Sequence, residues 1–532
     1  MHFKEVTDPK IKAEIQKVKN EIEKFVVWIF QHHEESSRSG SKVIHDGVWG
    51  THRYEEFEIA LINTPLIQRL RQIHQTAFTF LTYPSTQHTR FEHTLGVTAQ
   101  IGNLYKALND RFEHTPHCRG KKNLLGEETY RTLRIAAILH DCGHGPLSHT
   151  SEEIYGKYEE IKLLKRYDPF IAAGPGEIFS YLIIDSDYFK NFLGKIKDKY
   201  ELNIDEELIK NAIVGHAPNP LDTYKVDMLH GPFDADKLDY IFRDGHFSGL
   251  PLQIDLDRFW YSLDINTVKV PIKSNIVKFK KLTIDWGGIS SLEQILFSKM
   301  TLYPAVYHHH KVRACDCMFK GIIEHVREKG KKLMKDGLEI DFGRASQFLY
   351  FTDPEVFGMH GLMKKDESLH RLMHNLQFRR LLKRAIVISC DSVKEKEKLD
   401  AYTKNTEKPI FKDGLEYYRW LAKRIWEKAG KPGLFQEIWV DCPQDPNFGE
   451  ANDTWISPLG EGHEPVPFTE FFEIEKYANQ YKLKKWRSHV FCRPEHIDKV
   501  SKACVSVFKE EFGIEFKPLA FHLCHVDLPS EL

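Results

Sequence analysis

The densest group of metal-binding side chains in this sequence occupies residues 140–149, which read HDCGHGPLSH. Three histidines and one aspartate fall within this stretch, directly after the apolar run IAAIL at 135–139. Imidazole and carboxylate groups together suit zinc, manganese or iron. A metal held by such groups activates water and polarises phosphoryl oxygens. The stretch therefore predicts a metal site for the hydrolysis of phosphate esters.

The order of the residues restricts how such a site can form. His140 and Asp141 are adjacent, so on a regular helix their side chains would point about 100° apart. Both can face one ion only where a helix ends, and the glycines and proline of 143–146 supply that end. Two further ligands must come from elsewhere. The candidates are His93, in RFEH at 90–93, and Asp236, in FDADKLDY at 233–240.

A single histidine is more often a hydrogen-bonded core or surface group than a metal ligand. The cluster differs, because a buried acidic run beside several histidines is costly without a counter-ion. We therefore interpret these residues together as a metal centre.

The elements that must position the centre are mainly helical. Residues 9–33 carry apolar side chains three and four apart, which predicts a helix that docks on the body or contacts another helix. Residues 34–42 (EESSRSGSK) are typical of a linker. Helical periodicity dominates from 43 to about 312, with one small hairpin over 268–272 and 276–279.

The C-terminal part has a different pattern, with a strand at 490–492 followed by a helix over 495–512. We expect a mainly α fold, namely an all-helical core with a small α+β C-terminal lobe. The predicted domains are an N-terminal helix and linker at 1–41, a core at 42–320, and a regulatory or oligomerisation lobe at 321–532.

Composition narrows the class of protein. The chain has 532 residues, a formal net charge of -1 and nine cysteines without a C-x-x-C pair. No apolar run approaches the roughly 20 residues that span a bilayer, and the N-terminus lacks the pattern of a signal peptide. We expect a soluble cytoplasmic protein with free thiols. The net charge gives no sign of nucleic-acid binding. The basic-aromatic patch 482–487 (KLKKWR) could support a single strand, and a solvated helix end is the alternative.

The strings around the candidate ligands resemble the H…HD…D signature of the HD-domain phosphohydrolases. Within that class they are most similar to the deoxynucleoside triphosphate triphosphohydrolases, including the branch linked to a sterile alpha motif, although we expect no such motif here. The similarity is dense over 42–250 and weaker near 307–312 and 490–512. The strings that carry it are TPLIQRLR at 64–71, HTRFEHTLGV at 88–97, HDCGHGPLSH at 140–149 and DADKLDYIFRD at 234–244.

The resemblance implies a role for each of these residues. The divalent metal (manganese, iron or zinc, with magnesium accompanying the nucleotide) would be held by His93, His140, Asp141 and Asp236. The triphosphate would be contacted by Arg90, His144, His149, Lys237 and Tyr240, and the sugar by Gln75 and Asp244. Asp141, His144 and His149 would be the catalytic residues. For Arg90 and Lys237, a structural ion pair is the alternative.

The resemblance also implies a regulatory nucleotide pocket made of Lys42, Val43, Asn63, Gln68 and Arg71. Asn63 stands where the family has an aspartate that reads guanine. A neutral amide cannot accept from both N–H donors of guanine as a carboxylate does. We therefore expect a different nucleotide activator, or none.

Two further departures from the family touch catalysis. Residues 150–215 contain no histidine, and GPGE at 174–177 occupies the place where the family has one. His144 or His149 would then be the general acid. The family's arginine and tyrosine before Lys311 are also replaced, so Tyr307 or His308 could pack against the sugar. A surface histidine run is the alternative.

Three functions remain open from the sequence. The first is hydrolysis of deoxynucleoside triphosphates to deoxynucleoside and inorganic triphosphate by a homo-oligomer (dimer, tetramer or hexamer), with a nucleotide activator. The second is a phosphodiesterase or nuclease acting on single-stranded nucleic acid. The third is a nucleotide-binding sensor with weak activity.

Overall fold

The computed structural model describes residues 2–34, 40–114, 125–362, 366–404, 414–443, 449–457 and 464–524. Helices predominate, and the chain forms two compact units. The first unit comprises Met1–Leu302, Arg344–Val356 and Phe448–Glu473. The second comprises Tyr303–Gly343, Phe357–Asn447 and Ile474–Leu532.

The α-helices are α1 (Pro9–Phe30), α2 (Glu56–Ile62), α3 (Pro65–Gln68), α4 (Arg90–His114), α5 (Glu127–Leu139), α6 (His149–Tyr155), α7 (Glu159–Leu164), α8 (Pro175–Ile184), α9 (Asp187–Lys199), α10 (Glu206–Ile213), α11 (Thr223–His230), α12 (Ala235–Ser248), α13 (Leu256–Ser262), α14 (Ile289–Leu302), α15 (His310–Glu328), α16 (Asp353–Leu362), α17 (Glu367–Gln377), α18 (Lys398–Lys404), α19 (Gly414–Lys428), α20 (Ile474–Lys484), α21 (Ile497–Phe512) and α22 (Leu519–His522). The strands are β1 (Lys42–Asp46), β2 (Gly50–Tyr54), β3 (Leu263–Ile272), β4 (Asn275–Asp285), β5 (Leu333–Lys335), β6 (Leu338–Ile340), β7 (Lys383–Ile388), β8 (Trp439–Asp441), β9 (Trp455–Ser457), β10 (Val466–Pro467) and β11 (Ser488–Cys492).

The N-terminal helix α1 packs on the rest of the first unit. Docking on the body was one of the two predictions for this helix. Asp8 caps the helix by accepting from the backbone N–H groups of Lys10 and Ile11 at 2.9 and 3.2 Å. The predicted apolar stripe is buried, with Ile22 and Phe25 fully inaccessible. The helix packs against α3, α7, α8 and α9. Burial of this stripe, rather than helix propensity, therefore fixes α1 in place.

The helix pair α4–α5 is the centre of the first unit, and α12 packs on α4. From 90 to 217 the described residues form helices and connecting turns, as expected for an all-helical core. The predicted hairpin is present but longer, because β3 and β4 pair from Leu263↔Ile284 to Ile272↔Asn275. Strand β9 adds parallel to β4, and β10 pairs antiparallel with β9.

The hairpin β1–β2 was not predicted. Its apolar residues are few, namely Val43, Ile44 and Tyr54, so no alternating pattern marks it in the sequence. The turn stabilises it instead. Asp46 Oδ1 accepts from the N–H groups of Val48 and Trp49 at 2.7 and 2.9 Å, and Gly50 takes a φ of +77°.

The second unit is an α+β structure built on the antiparallel sheet β7–β11–β8. Helices α19 and α21 pack on this sheet around a core that includes Leu421, Val490 and Phe508. Strand β11 and helix α21 match the predicted strand and helix. Trp486 is also buried in this core and donates to Pro443 O at 3.0 Å, so it is not available to stack on a base as the patch 482–487 suggested. The side chains of 482–484 lie outside the described residues.

The two units divide the chain differently from the predicted domain boundaries. The predicted boundary at 320/321 falls inside α15, and residues of 344–356 and 448–473 return to the first unit. Residues 35–39 of the predicted linker lie outside the described residues. The eight cysteines in the described ranges are free thiols. A search of the same ranges finds no helix both long and apolar enough to cross a membrane.

Candidate metal centre and active site

The His140–Asp141 pair lies at a helix end, as the sequence predicts. Helix α5 ends at Leu139, and His140 is its C-terminal cap. Ser180 on α8 ties down the turn by donating to His140 O at 2.6 Å and accepting from Gly143 N at 2.9 Å. A Cβ on Gly143 would lie 2.3 Å from Gly176 O. Only glycine therefore lets the turn approach α8 this closely.

Three of the four predicted ligands, His93, His140 and Asp141, bring their donor atoms together, and the fourth, Asp236, contacts His93. His93 Nε2 lies 2.9 Å from Asp236 Oδ1, 3.4 Å from His140 Nε2 and 3.8 Å from Asp141 Oδ2. His140 Nε2 lies 3.4 Å from Asp141 Oδ1. Ligands about 2.1 Å from one ion and 90–110° apart would be separated by about 3.0–3.4 Å. The donor atoms of His93, His140 and Asp141 are therefore close enough together to bind one metal ion, and Asp236 stays the predicted fourth ligand.

The hydrogen bonds of the two imidazoles support the same conclusion. His93 Nδ1 donates to Asp239 Oδ2 at 2.7 Å, and His140 Nδ1 donates to Ala137 O at 2.7 Å. With their remaining protons on Nδ1, both imidazoles would present Nε2 to one metal ion, and the two Nε2 atoms lie 3.4 Å apart. The residues present thus fit a divalent metal.

Electrostatics at the centre also favour a cation. Burial lowers the pKa of His93, but hydrogen bonds to Asp236 and Asp239 outweigh it and raise that pKa to about 10. Burial raises the pKa of Asp141, but Arg90, followed by His140 and His144, holds it well below its usual value. The pKa of Asp236 is likewise lowered, mainly through His93 against the effect of burial. Both carboxylates are therefore charged at neutral pH.

The two basic residues expected at the phosphates make ion pairs. Arg90 is 2% exposed and donates to Asp141 Oδ2 at 2.7 Å and to Ser148 Oγ at 2.8 Å, while its Nη2 makes no hydrogen bond to any described group. Lys237 donates to Asp234 at 2.5 Å and to Gly231 O at 2.9 Å. Both residues therefore make structural ion pairs, and Nη2 of Arg90 is a further donor that could bind a phosphate oxygen.

His144 and His149 share the carboxylate of Glu152. His149 Nδ1 lies 2.5 Å from Glu152 Oε2, and His144 Nδ1 lies 3.4 Å from Oε1. His144 Nε2 is also 3.2 Å from Asp141 Oδ1, which joins this group to the metal centre. Burial and Arg90 lower the pKa of His144. Desolvation lowers the pKa of His149, but Glu152 outweighs it and raises that pKa.

The predicted sugar residues lie close together at the beginning of α4. Gln75 is buried, its N–H donates to His88 O at 3.1 Å, and its side-chain oxygen lacks a hydrogen bond within the described chain. Asp244 accepts from His88 Nε2 at 2.7 Å. His88 thus links Gln75 and Asp244, a connection the sequence interpretation missed.

The remaining predicted substrate residues are placed differently. Tyr240 lies one turn after Asp236 on α12, so both share a helix face. Tyr307 ends a π-helical turn, and His308 follows it, both in the second compact unit. Their roles at a sugar stay predictions.

The predicted regulatory residues lie in two short segments. Gln68 donates to Ile62 O at 2.8 Å and accepts from Arg71 Nε at 2.8 Å, next to Asn63 at the end of α2. Lys42 and Val43 are exposed at the beginning of β1. The structure thus brings Asn63, Gln68 and Arg71 together.

Several residues that organise the site escaped the sequence interpretation. Asp239 orients His93, Ser148 holds Arg90, and Asp353 accepts from Leu147 N at 2.6 Å and from His74. Glu152 could have been found, because it lies three residues after His149 on α6 and so shares its face. No sequence pattern marks Asp353 as part of the site, because it lies 206 residues after Leu147 in the chain.

A strongly basic cavity of about 410 Å³ lies within the second unit. Burial, with Arg384 next, lowers the pKa of His310 to about 3. The cavity therefore disfavours added positive charge and suits an anion. Its lining consists of His310, Lys311, Arg379, Leu381, Leu382, Lys383, Arg384 and Cys524.

Comparison with known families agrees with this geometry. Residues 90–217 match the HD domain, and residues 272–512 match the HD associated region. The chain is similar to the uncharacterized protein MJ1154 of Methanocaldococcus jannaschii, with 27% identity over 84% of this chain and 81% of the relative. It is similar to the uncharacterized protein YwfO of Bacillus subtilis, with 27% identity over 62% of this chain and 65% of the relative.

The chain is also similar to human deoxynucleoside triphosphate triphosphohydrolase SAMHD1, with 29% identity over 61% of this chain and 53% of the relative. The aligned region thus spans about half of that relative. The matched families and the metal centre together define the class. The chain belongs to the HD-domain phosphohydrolases, which are metal-dependent enzymes.

Proposed function

We propose that this enzyme hydrolyses deoxynucleoside triphosphates to deoxynucleoside and inorganic triphosphate. One observation carries the proposal: three buried polar atoms beside the metal centre make no hydrogen bond to any described residue. Buried polar atoms are normally paired, so this set indicates a polar ligand. The three atoms are Gln75 Oε1, His88 Nδ1 and Arg90 Nη2.

The positions of these atoms fit a nucleotide with a phosphate end and a sugar end. Arg90 Nη2 is a donor that suits a phosphate oxygen, whereas Gln75 Oε1 is an acceptor that suits a sugar hydroxyl. His88 ties the Gln75 segment to Asp244, a second acceptor. A ribose carries an extra hydroxyl that needs its own space and partner. The similarity to a deoxynucleoside triphosphate triphosphohydrolase supports the same substrate.

His93, His140, Asp141 and Asp236 would hold the metal. When bound, the divalent metal would activate a water molecule and polarise the phosphoryl oxygens. Arg90 and Lys237 neutralise charge on the phosphates, and Tyr240 lies three residues after Lys237 on α12. The Glu152-bound imidazole of His149 is placed to accept and return protons.

The test is a product assay. The protein is incubated with each deoxynucleotide and ribonucleotide, singly and in pairs, with Mn²⁺, Fe²⁺, Zn²⁺ or Mg²⁺. We expect inorganic triphosphate and free deoxynucleoside, and loss of both in His140→Ala and Asp141→Ala. Release of pyrophosphate, or cleavage of single-stranded DNA without triphosphate, would replace the proposal with a phosphodiesterase or nuclease. Binding without turnover would replace it with a nucleotide sensor.

We also propose that a second nucleotide regulates the enzyme and that the enzyme assembles as a homo-oligomer. The basic cavity of the second unit supports the first part, because Lys311, Lys383 and Arg384 suit a polyphosphate. The Asn63–Gln68–Arg71 group of the first unit supplies amide and guanidinium donors and is a separate candidate for nucleotide binding. Lys311→Ala with Lys383→Ala should raise the nucleotide concentration required for activation. Light scattering with and without nucleotide measures the assembly.

A further inference from the structure

Two of the imidazole–carboxylate pairs near the metal centre have a histidine that solvent can reach. Hydrolysis needs one group for the attacking water and another that protonates the leaving oxygen. His149 with Glu152 is the first pair. The second consists of His230, the last residue of α11, and Glu177, in the first turn of α8, with Nδ1 and Oε1 3.5 Å apart.

The Glu177 carboxylate is fixed so that one oxygen points to His230. Its Oε2 accepts from Gly174 N at 2.7 Å, which leaves Oε1 for the imidazole. Both side chains are partly exposed, at 34% for His230 and 30% for Glu177. Solvent and a ligand can therefore reach the pair.

The backbone forms a socket for the His230 ring. Gly215 has a φ of +69°, and a Cβ there would lie 2.2 Å from His230 Cδ2. The His230 ring therefore packs directly on the backbone of Gly215, where a side chain would leave no room for it. The next residue, Gly231, is tied to the beginning of α12, because its N–H donates to Asp234 Oδ2 and its carbonyl accepts from Lys237 Nζ, both at 2.9 Å.

Both residues of the His230–Glu177 pair are connected to the metal centre, Glu177 through Gly176 and His230 through Gly231 and Lys237. Gly176, which precedes Glu177, donates to Glu152 Oε1 at 2.7 Å, and a Cβ on it would lie 2.8 Å from His144 Nε2. On the other side, Lys237 follows the ligand Asp236 directly. Burial raises the pKa of Glu177, and the charges of Glu152 and Asp236 raise it further, as expected for neighbouring acids.

We infer that His230, oriented by Glu177, is the general acid that protonates the leaving oxygen in the reaction proposed above, on which this inference rests. As the bond from water oxygen to phosphorus forms, the bond from phosphorus to the sugar oxygen breaks. The imidazolium transfers its proton to that sugar oxygen and releases a neutral hydroxyl. His149 accepts the proton that the attacking water loses and passes it to solvent, and the His230 ring regains a proton from solvent.

Leaving-group dependence tests this role in the intact, metal-loaded protein. An alkoxide needs the proton, whereas 4-nitrophenolate leaves without it. His230→Gln should lower kcat for the best deoxynucleoside triphosphate by about 100-fold or more, and for bis(4-nitrophenyl) phosphate by less than about tenfold. Glu177→Gln should likewise lower kcat more for the deoxynucleoside triphosphate than for bis(4-nitrophenyl) phosphate. Added imidazole should restore part of the deoxynucleotide rate of His230→Ala.

His32→Ala, at an exposed histidine after α1, is the matched control and should leave both rates unchanged. Metal content and melting temperature of each variant identify a folding defect. Equal losses on both substrates, or none, would overturn the inference. Failure of the proposed function looks different, because the wild type would then release no triphosphate. The His230 variants would then be tested on an alkyl ester and a 4-nitrophenyl ester of the same phosphate. A larger loss of kcat on the alkyl ester would still support His230 as the general acid.

Discussion

His93 donates from Nδ1 to Asp239 Oδ2 at 2.7 Å, and Arg243 binds both oxygens of the same carboxylate at 2.8 and 2.9 Å. Asp239 therefore orients the imidazole of the predicted ligand His93, and Arg243 in turn fixes the carboxylate of Asp239. A Cβ on Gly96 would lie 1.8 Å from Asp239 Oδ1, so α4 and α12 meet closely at this point. Orientation of a metal ligand thus depends on helix packing as well as on the ligand itself.

Asp239→Asn should weaken metal binding by about 10–100-fold, because the amide orients the imidazole without the carboxylate's charge. Competition with a chelating dye measures the affinity. Asp198→Asn, at an exposed carboxylate on α9, is the control. Unchanged affinity in Asp239→Asn would contradict a role for Asp239 in metal binding.

Metal binding should release a proton well above neutral pH. Because neighbouring carboxylates raise the pKa of His93 to about 10 in the metal-free protein, its imidazole is protonated at about pH 8.5, where an ordinary histidine is neutral. The bound ion requires neutral His93, so its proton leaves. Calorimetry in buffers of different ionisation enthalpy should show close to one proton per site at that pH. Release should fall as the pH rises through 10, and its absence at pH 8.5 would refute the raised pKa.

Gly143→Ala should lower the free energy of unfolding by about 2 kcal/mol or more, because the new Cβ would meet the backbone of α8. Gly194→Ala, in α9 with open space around the position, should instead raise it by about 0.5–1 kcal/mol. Urea unfolding of both variants measures the difference. Equal effects would show that the turn can move away from α8.

Arg90→Lys should lower kcat/KM for the nucleotide by about 10–100-fold, because a lysine ammonium cannot bind Asp141, Ser148 and a phosphate oxygen in the planar geometry of arginine. Arg166→Lys, at an exposed arginine, is the control. Metal content should be measured in parallel, since Arg90 contacts a ligand carboxylate. An unchanged kcat/KM would leave Arg90 with its structural ion pair alone.

The sequence predicts the local parts of this structure well. The helix α1, the end of α5 at His140 and the strand–helix unit β11–α21 each follow from neighbouring residues, whereas the set of four metal ligands stays a prediction from spacing and resemblance. The hairpin β1–β2 was missed because turn hydrogen bonds, not apolar alternation, stabilise it. Asp353 was missed because only tertiary structure brings it to Leu147.

The segment from 448 to 473 carries β9 to the edge of β4 and Glu450 to Lys299, both within the first unit. A chain cut after α14 would keep all four metal ligands yet lose the strand that covers β4, and it would leave buried Lys299 without its carboxylate. Such an edge is open to pairing with other chains. The catalytic part of this protein is therefore not a contiguous fragment, and during synthesis its last strands arrive only after most of the second unit has been made.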